Sequence, residues 1–541
     1  MSEEKSSDFP SQKEIEKDIS NYLTKKYGER IKIIGIHAQP EVADSSLIDK
    51  KNAAVSITHN FSIKPEELNA YLNEYVIRQD DAKAVLSTKI CTHFNRIRHA
   101  LTHPEHKEHG VGQIKNNVLL MGPTGVGKTY LVKLIAKKIG VPFIKGDATK
   151  FSETGYVGGD VEDLIRDLVR EADDDLESAQ YGIIYIDEID KISSSANRIG
   201  PDISRGGVQR ALLKPMEETE VDLKVPHDPI SQMEAIERYR ATGKRQRKVI
   251  NTQNILFIMS GAFTGLADII KKRVQKQSIG FGSIISNQKT SSHFLKQVKA
   301  EDLIQYGFES EFVGRLPVVS CLDELTADDL NEILLNFNCP VIVGKKLDFR
   351  AYGIHIQFAE EAIRQIADQS YTEQTGARGL VSVMEKILLP FEKKLPSTDI
   401  KFLAVSEELV HHPVRELERL LKEPDRATFH EEQFYLYEQK EKERLINFMR
   451  HAKSVYLEQH DIAVTETRLN LVAEQCQIKI MDTEVALDLF RELIEQIKQC
   501  ANTISNKSGL KVIFSDEAID WVLSRKSLTP EAIKGLCGDL L

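Results

Sequence analysis

The stretch NVLLMGPTGVGKT, residues 117–129, decides the fold. Its first five residues form a short apolar run that is typical of a buried strand. The next eight, residues 122–129, match the pattern G-x-x-x-x-G-K-[S/T], and apolar residues at helical spacing continue through Ile139. A strand, a glycine-rich loop and a helix in this order predict a phosphate-binding loop, whereas a flexible glycine turn is the alternative.

The residue types of this loop fit the binding of a nucleoside triphosphate. Gly122, Gly125 and Gly127 allow the backbone to wrap around phosphate oxygens with its N–H groups pointing inward. The following helix offers its positive end to the same oxygens. Lys128 would neutralise charge on the outer phosphates, and the hydroxyl of Thr129 would bind Mg²⁺.

A second buried strand, GIIYI at residues 182–186, ends in a pair of carboxylates. The carboxyl ends of parallel strands collect ligand groups, so Asp187 is expected to hold the water shell of the metal. Glu188 is expected to polarise the attacking water for in-line displacement at the γ-phosphate. Asp190 continues this acidic edge, where solvation alone would explain it.

Further apolar runs at residues 141–145 and 254–259 predict two more strands, and residues 161–176 have a helical pattern. Alternating strands and helices predict an α/β fold with a parallel sheet and helices on both faces. From residue 326 the pattern is mostly helical, with one candidate strand at residues 354–358. Long charged helical stretches follow residue 407 and predict solvated or coiled helices.

Composition excludes several classes of protein. The 541 residues are 41% hydrophobic and 28% charged, without an apolar run long enough for a membrane span or a signal peptide, so we expect a cytoplasmic protein. The net charge of −10 argues against nucleic-acid binding through phosphates. None of the six cysteines forms a C-x-x-C pair, which predicts reduced thiols and no zinc site. They are Cys91, Cys321, Cys339, Cys476, Cys500 and Cys537.

Residues 64–396 resemble the ClpX branch of the AAA+ protein-unfolding ATPases. The resemblance rests on EYVIRQDDAK, GPTGVGKT, GYVGGDVE, YIDEIDKI, DISRGGVQRALL, ILFIMSGAF, EFVGRLPVV and TGARGL, which occur in the order of that family. It implies a large AAA+ ATPase domain at residues 63–322 and a small, mostly helical lid domain at residues 323–406. Residues 1–62 have no assigned role, and residues 407–541 form a helical C-terminal extension without a recognised counterpart.

The resemblance also implies the parts of an ATP and Mg²⁺ site. The nucleotide contacts would be Val76, Ile77, Gly122, Pro123, Thr124, Gly125, Val126, Gly127, Lys128, Thr129, Tyr130, Asp187 and Arg378, and the metal contacts Thr129 and Asp187. Arg315 would be the arginine finger that reaches the nucleotide of a neighbouring subunit, and Arg378 the sensor of the γ-phosphate in its own subunit. Without the resemblance, an ion pair is the simpler explanation for either arginine. Ser260 lies near the first sensor position of the family, and a finger supplied in trans implies a closed ring, in this family a homo-hexamer.

Three further motifs concern partners. The resemblance places Gly155, Tyr156, Val157 and Gly158 in the central pore, where they grip unfolded or tagged protein substrates; a tyrosine packed under a turn is the alternative. A second pore loop would come from residues 193–205, and the basic residues 244–248 lie where the family has an entrance loop. Ile279, Gly280 and Phe281 resemble the loop that docks on a ClpP-type peptidase, whereas a local apolar contact is the simpler explanation. These three motifs are SETGYVGGD, KRQRK and SIGFGS.

Three departures from the family pattern are visible. No cysteine-rich zinc domain precedes the ATPase, Arg78 replaces the usual glycine of a V-I-G-Q segment, and the C-terminal extension is unfamiliar. An HslU-like unfoldase is the nearest alternative, but the roughly thirty residues between Tyr156 and Asp187 leave no room for the inserted domain of that relative. A non-proteolytic remodeller of protein complexes and a nucleotide-binding module without hydrolysis also stay open.

Overall fold

The computed structural model describes residues 61–103, 115–151, 160–193, 203–223, 248–278, 291–453, 457, 462–508 and 512–525. The strands are β1 (Val118–Met121), β2 (Phe143–Asp147), β3 (Ile183–Asp187), β4 (Glu220–Asp222), β5 (Val249–Asn251), β6 (Leu256–Gly261), β7 (Val318–Cys321), β8 (His355–Phe358) and β9 (Phe402–Val405). The helices up to the last strand of the large sheet are α1 (Pro65–Tyr75), α2 (Asp80–Thr102), α3 (Lys128–Ile139), α4 (Val161–Glu171), α5 (Leu176–Ala179), α6 (Ile203–Met216), α7 (Leu266–Ser278), α8 (Ser291–Leu295), α9 (Ala300–Tyr306) and α10 (Ser310–Gly314). The later helices are α11 (Ala327–Leu335), α12 (Pro340–Ala351), α13 (Glu360–Thr372), α14 (Ala377–Lys394), α15 (Glu407–His411), α16 (Pro413–Lys422), α17 (Pro424–Ala452), α18 (Glu466–Lys479), α19 (Thr483–Ser508) and α20 (Asp516–Arg525).

A five-stranded parallel sheet carries the first half of the chain, in the order β2-β3-β6-β1-β7. Alternate residues of each strand face two separate apolar cores: Val118 and Leu120 contribute to one, Leu119 and Met121 to the other. Helices therefore cover both faces, and the predicted α/β class is confirmed. The order also puts β6 between β1 and β3, so the ends of these three strands lie side by side.

In this part of the chain the structure corrects one expected helix and adds one strand that was not expected. The helix predicted over residues 161–176 ends at Glu171, because Asp173 and Asp174 adopt positive φ angles of 52° and 61°. The short helix α5 then begins, capped by the side chain of Asp175, which accepts from the backbone N–H of Glu177. Strand β7 was not predicted, because its four residues follow Pro317 with little room for a pattern.

The second half of the chain is mostly helical, as expected. The candidate strand at residues 354–358 is β8, and it pairs in parallel with β9, which sequence reasoning missed. Helices α15 and α16 share an apolar core with α13 and α14 through residues such as Leu409 and Leu417. The helices beyond Leu445 enclose a separate core that includes Phe490 and Leu493.

The cysteines differ from the expectation at one position. Cys91, Cys321, Cys339 and Cys476 are buried free thiols, but Cys500 is disulfide-bonded, so the prediction of reduced thiols throughout was wrong. Among the described residues, no helix combines the length and the apolar character that a membrane span requires.

Candidate active site

The glycine-rich loop joins β1 to α3 at the carboxyl edge of the sheet. Gly127 has a φ of 95° and stands at the N-terminus of α3, so the free N–H groups of that helix point at the loop. Gly125 is needed for a close approach, because a Cβ there would lie 2.1 Å from the carbonyl oxygen of Thr375. The N–H of Ala377 donates to the carbonyl of Gly125 at 2.9 Å, which ties the start of α14 to the loop.

Lys128 is the cation of this loop. Its side chain is 8% exposed, and Nζ donates to the carbonyl oxygens of Gly122 and Pro123, each at 2.7 Å. Burial lowers the pKa of Lys128 to about 8, although the nearby carboxylates of Asp187 and Asp190 oppose the shift. The ammonium group is therefore held inside the loop, and it is poorly hydrated there, which favours pairing with an anion.

Asp187 lies at the end of β3 within a chain of hydrogen bonds. Ser260, on β6, donates to Oδ1 at 2.6 Å, and Nζ of Lys145, on β2, lies 3.0 Å from Oδ2. Burial acts against ionisation, but these two contacts outweigh it and leave the pKa of Asp187 below its ordinary value. Thr129 donates to Oδ2 at 3.4 Å, so the hydroxyl and the carboxylate that were predicted to share a metal do lie together.

Tyr185 is a member of this chain that sequence reasoning missed. Its hydroxyl lies 3.1 Å from Oγ1 of Thr129 and 2.6 Å from Oγ of Ser260, and burial raises its pKa to about 12. Because Tyr185 is one of the apolar-looking positions of GIIYI, its position in the sequence suggested only a core residue. Lys145 was missed for a similar reason, since it ends a predicted strand without any motif.

Glu188 follows Asp187 and is exposed, unlike its neighbour. Its φ of 58° lies in the left-handed region, which turns the chain sharply after β3. The interpretation of Asp190 as a solvated carboxylate was wrong: it is 5% exposed, and its Oδ1 accepts from the N–H of Ala262 at 3.3 Å. Asp190 therefore stabilises the backbone that follows β6, and Glu188 is the solvent-facing carboxylate at this edge of the sheet.

These elements surround a cavity of ≈480 Å³, which is within the usual range for small-molecule pockets. Of the predicted nucleotide contacts, the cavity is lined by Val76, Ile77, Thr124, Gly125, Val126, Gly127, Lys128, Thr129, Tyr130, Asp187 and Arg378. Glu188 also lines it, whereas Gly122 and Pro123 do not. Most of the other lining residues are apolar, among them Tyr75, Leu325, Ile333, Cys339, Pro340, Val341, Leu380 and Val381. The polar ones are Asp190, Lys191, Thr264 and Asn336.

The two arginines occupy different places. Arg378 lies in the first turn of α14 and lines the cavity with an exposed side chain. Arg315 follows α10, is absent from the cavity lining and is half exposed, with Nη2 2.5 Å from Oε1 of Glu217. One arginine is thus brought to the pocket of its own chain, and the other points to a different surface.

The unusual Arg78 keeps the backbone geometry of a glycine. Its φ is 58°, and Gln79 after it has a φ of 65°. Nη1 of Arg78 lies 2.5 Å from Oδ2 of Asp329 on α11. Burial acts to raise the pKa of Asp329, but its contacts with Thr326 and Arg78 outweigh burial and leave this pKa below its ordinary value. The departure from the family pattern therefore adds an ion pair while leaving Val76 and Ile77 at the cavity.

We expect Arg78→Gly to be more stable than Arg78→Ala. Both variants lose the ion pair with Asp329, but only glycine removes the cost of a left-handed backbone, about 1 kcal/mol. In a domain of this size that difference corresponds to about 2–4 °C in the midpoint of thermal unfolding. Equal midpoints for the two variants in a fluorescence-monitored melt would contradict this explanation.

Several predicted residues lie outside the described part of the chain. They are Gly155, Tyr156, Val157, Gly158, Ile279, Gly280 and Phe281, together with most of the proposed second pore loop and entrance loop. Their roles stay predictions.

The sheet order, the phosphate-type loop and the paired carboxylates agree with comparisons to known families. Residues 113–319 match the family described as AAA domain (Cdc48 subfamily), and residues 325–395 match the C-terminal, D2-small domain, of ClpB protein. The chain is therefore an AAA+ ATPase that binds ATP.

Curated relatives narrow the assignment further. The protein of Treponema denticola named "ATP-dependent Clp protease ATP-binding subunit ClpX" is 40% identical over 337 residues, which cover 62% of this chain and 77% of the relative. Proteins of the same name from Borrelia duttonii and Borrelia recurrentis are 39% identical over 355 residues, covering 64% of this chain and 78% of each relative. The chain belongs to the ClpX family, which favours this branch over the HslU-like alternative.

Proposed function

We propose that this protein is an ATP-driven protein unfoldase that works as a homo-hexameric ring and threads polypeptides through a central pore. The observation that carries the proposal is the single cavity edge where Lys128, Thr129, Asp187, Glu188 and Arg378 meet. Family membership supports it, since the relatives are named as ATP-binding subunits of an ATP-dependent protease.

The residues at the cavity have separable roles in this proposal. Lys128 and the N–H groups at the start of α3 bind the phosphates of ATP. The hydroxyl of Thr129 and the carboxylate of Asp187 lie 3.4 Å apart and are oxygen donors of the type that Mg²⁺ prefers, so the site fits this metal. When bound, Mg²⁺ neutralises charge on the outer phosphates. Ser260 and Lys145 hold the Asp187 carboxylate in its ionised form.

Glu188 is the proposed general base. It is exposed at the carboxyl end of β3, beside the metal-binding carboxylate, and it lines the cavity. A carboxylate in this position accepts a proton from the water that attacks the γ-phosphate. Arg378 reaches the same cavity from α14 and would stabilise the outer phosphate charge, so that hydrolysis changes how α14 is held.

The pore and the peptidase partner rest on the family resemblance. Tyr156 is the proposed substrate grip, and Ile279, Gly280 and Phe281 are the proposed dock for a ClpP-type peptidase. A remodeller that dismantles complexes without a peptidase is the second candidate, because the ATPase residues would be the same in both. Only the docking loop distinguishes them.

The experiment that tests the function is unfolding of a stable fluorescent protein that carries a degradation tag. With ATP, the wild-type protein should abolish the fluorescence, and a ClpP-type peptidase should convert unfolding into degradation. Tyr156→Ala should stop both at unchanged ATP turnover, whereas Phe281→Ala should stop degradation alone. Unfolding that persists in Tyr156→Ala refutes threading by this residue, and unaffected degradation in Phe281→Ala refutes the docking role.

The low pKa of Lys128 predicts proton uptake when nucleotide binds. In the free protein this pKa is about 8, and a bound triphosphate raises it by favouring the ammonium form. Affinity for ATP is therefore expected to be full below pH 8 and to fall as the pH rises above 8, since the deprotonated amine attracts phosphate poorly. Calorimetry at pH 8.5 in two buffers of different ionisation enthalpy should detect the uptake, and buffer-independent heats would contradict it.

A further inference from the structure

The wall of the nucleotide cavity at the end of α1 is held by residues far away in the chain. Tyr75, Val76 and Ile77 line the cavity, and they connect α1 to the tight turn at Arg78. Tyr75 is the last residue of α1, whereas Val76 and Ile77 after it have no regular structure, so the position of these two residues depends on how the end of α1 is held.

We propose that Asp482 and Lys453, in the C-terminal extension, are positioning residues that hold residues 74–77 in the shape that binds the nucleotide. The inference deepens the proposed ATP site, on which it rests, and gives the extension a role in nucleotide affinity.

The first contact is a side-chain hydrogen bond. The hydroxyl of Tyr75 donates to Oδ2 of Asp482 at 2.6 Å, across 407 residues of sequence. The other oxygen of Asp482 accepts from the N–H of Glu484 at 2.9 Å, which fixes the carboxylate at the start of α19. Burial, followed by the contact with Asp482, raises the pKa of Tyr75, so its hydroxyl stays a donor.

The second contact is a buried ion pair. Nζ of Lys453 lies 2.5 Å from Oε2 of Glu74, and the two side chains are 5% and 14% exposed. The carbonyl of Glu74 also accepts from Nδ2 of Asn336, which belongs to the region matched by the small-domain family, at 2.7 Å. A third contact, also an ion pair, joins Lys138 at the end of α3 to Glu484.

The extension is in turn fixed to the region around β8. Glu441 on α17 lies 2.7 Å from Nζ of Lys346 on α12, and it accepts from Nε2 of Gln357 on β8 at 2.9 Å. The extension therefore contacts two parts of the chain. One is the nucleotide-binding part, at α1 and α3, and the other is the small domain, at α12 and β8. Glu74 and Tyr75 belong to the first of these contact regions, and Glu74 also accepts from Asn336 of the small-domain region, next to the cavity.

If residues 74–77 must be ordered for nucleotide to bind, the loss of each contact lowers the affinity for nucleotide by a measurable amount. One hydrogen bond corresponds to a change of about two- to tenfold in a dissociation constant. Tyr75→Phe removes a single oxygen and leaves the cap of α19 intact, and Lys453→Met removes the ammonium. Because Lys453→Met leaves Glu74 buried without a partner, the double variant Glu74→Gln/Lys453→Met separates loss of the contact from the cost of that charge.

The test measures binding of a fluorescent ADP analogue, kcat and KM for ATP, and the nucleotide-free melting midpoint in the full-length protein. We expect the dissociation constant and KM to rise about three- to tenfold in Tyr75→Phe and in both Lys453 variants, with kcat within twofold. Glu474→Gln is the matched control, since it breaks the exposed pair with Lys442 between α17 and α18 and touches neither α1 nor α3.

Failure of this inference and failure of the proposed nucleotide site give different results. Unchanged affinity in all three variants, with lower melting midpoints, makes the contacts ordinary packing and overturns the inference. If instead the wild-type protein does not bind the analogue, or Lys128→Ala binds it equally well, the proposed nucleotide site itself fails. If Lys453→Met does not fold, Tyr75→Phe decides the outcome alone.

Discussion

Glu188→Gln is expected to lower ATP turnover by a factor of about 10²–10⁴, the usual contribution of a positioned general base. Nucleotide binding should stay within a few-fold of wild type, because Glu188 is exposed at the cavity edge and the phosphate-binding groups, Lys128 and the start of α3, are untouched. The amide cannot accept the proton of the attacking water, but it has the same size and can keep the left-handed turn at φ 58°.

The measurement pairs steady-state ATP hydrolysis with equilibrium binding of a fluorescent nucleotide. Glu171→Gln is the control, since this exposed glutamate ends α4 away from the cavity lining. Retained hydrolysis in Glu188→Gln would remove the assigned base, and loss of binding would show that the carboxylate supports the fold of the loop instead.

The polar half of the site could be predicted because it depends on short-range patterns. The glycine loop and the carboxylates after β3 each follow directly from a strand, and the parallel sheet brings strand ends together. Residues 122–129 and Asp187 therefore needed no knowledge of distant contacts. The prediction failed at Asp190, because its burial depends on packing against the end of β6, where a Cβ on Gly261 would meet its carboxylate at 2.6 Å.

The apolar half of the cavity could not be predicted in the same way. Ile333, Val341 and Leu380 come from the region after residue 325, where their helical spacing marks a core face and nothing more. Strand β9 was missed because its partner β8 is more than forty residues earlier, so no local pattern records the pairing. The contact of Tyr75 with Asp482 could not be predicted for the same reason, because 407 residues of sequence separate its two partners.

Arg315→Ala is expected to lower ATP turnover by about 10³-fold if it is an arginine finger. The structure puts the side chain half exposed, beside Glu217 and outside the cavity of its own chain, while Arg378 lines that cavity. As an arginine finger, Arg315 would therefore act on the nucleotide of another subunit, and rings bring such unlike surfaces together. Glu217→Gln is the matched control, because it breaks the ion pair and leaves the guanidinium in place.

Mixing two inactive variants separates action in trans from any local role of Arg315. In a mixed ring, an Arg315→Ala subunit keeps its own Glu188 and receives a finger whenever its neighbour is a Glu188→Gln subunit. With equal amounts and independent sites, about one quarter of the sites are complete, so turnover should recover to about a quarter of wild type. If Arg315 acted within its own chain, or only supported the fold through Glu217, every site would keep one defect. The mixture would then be no more active than the two variants measured apart, and the interpretation of Arg315 as a shared residue, together with the ring that it requires, would be wrong.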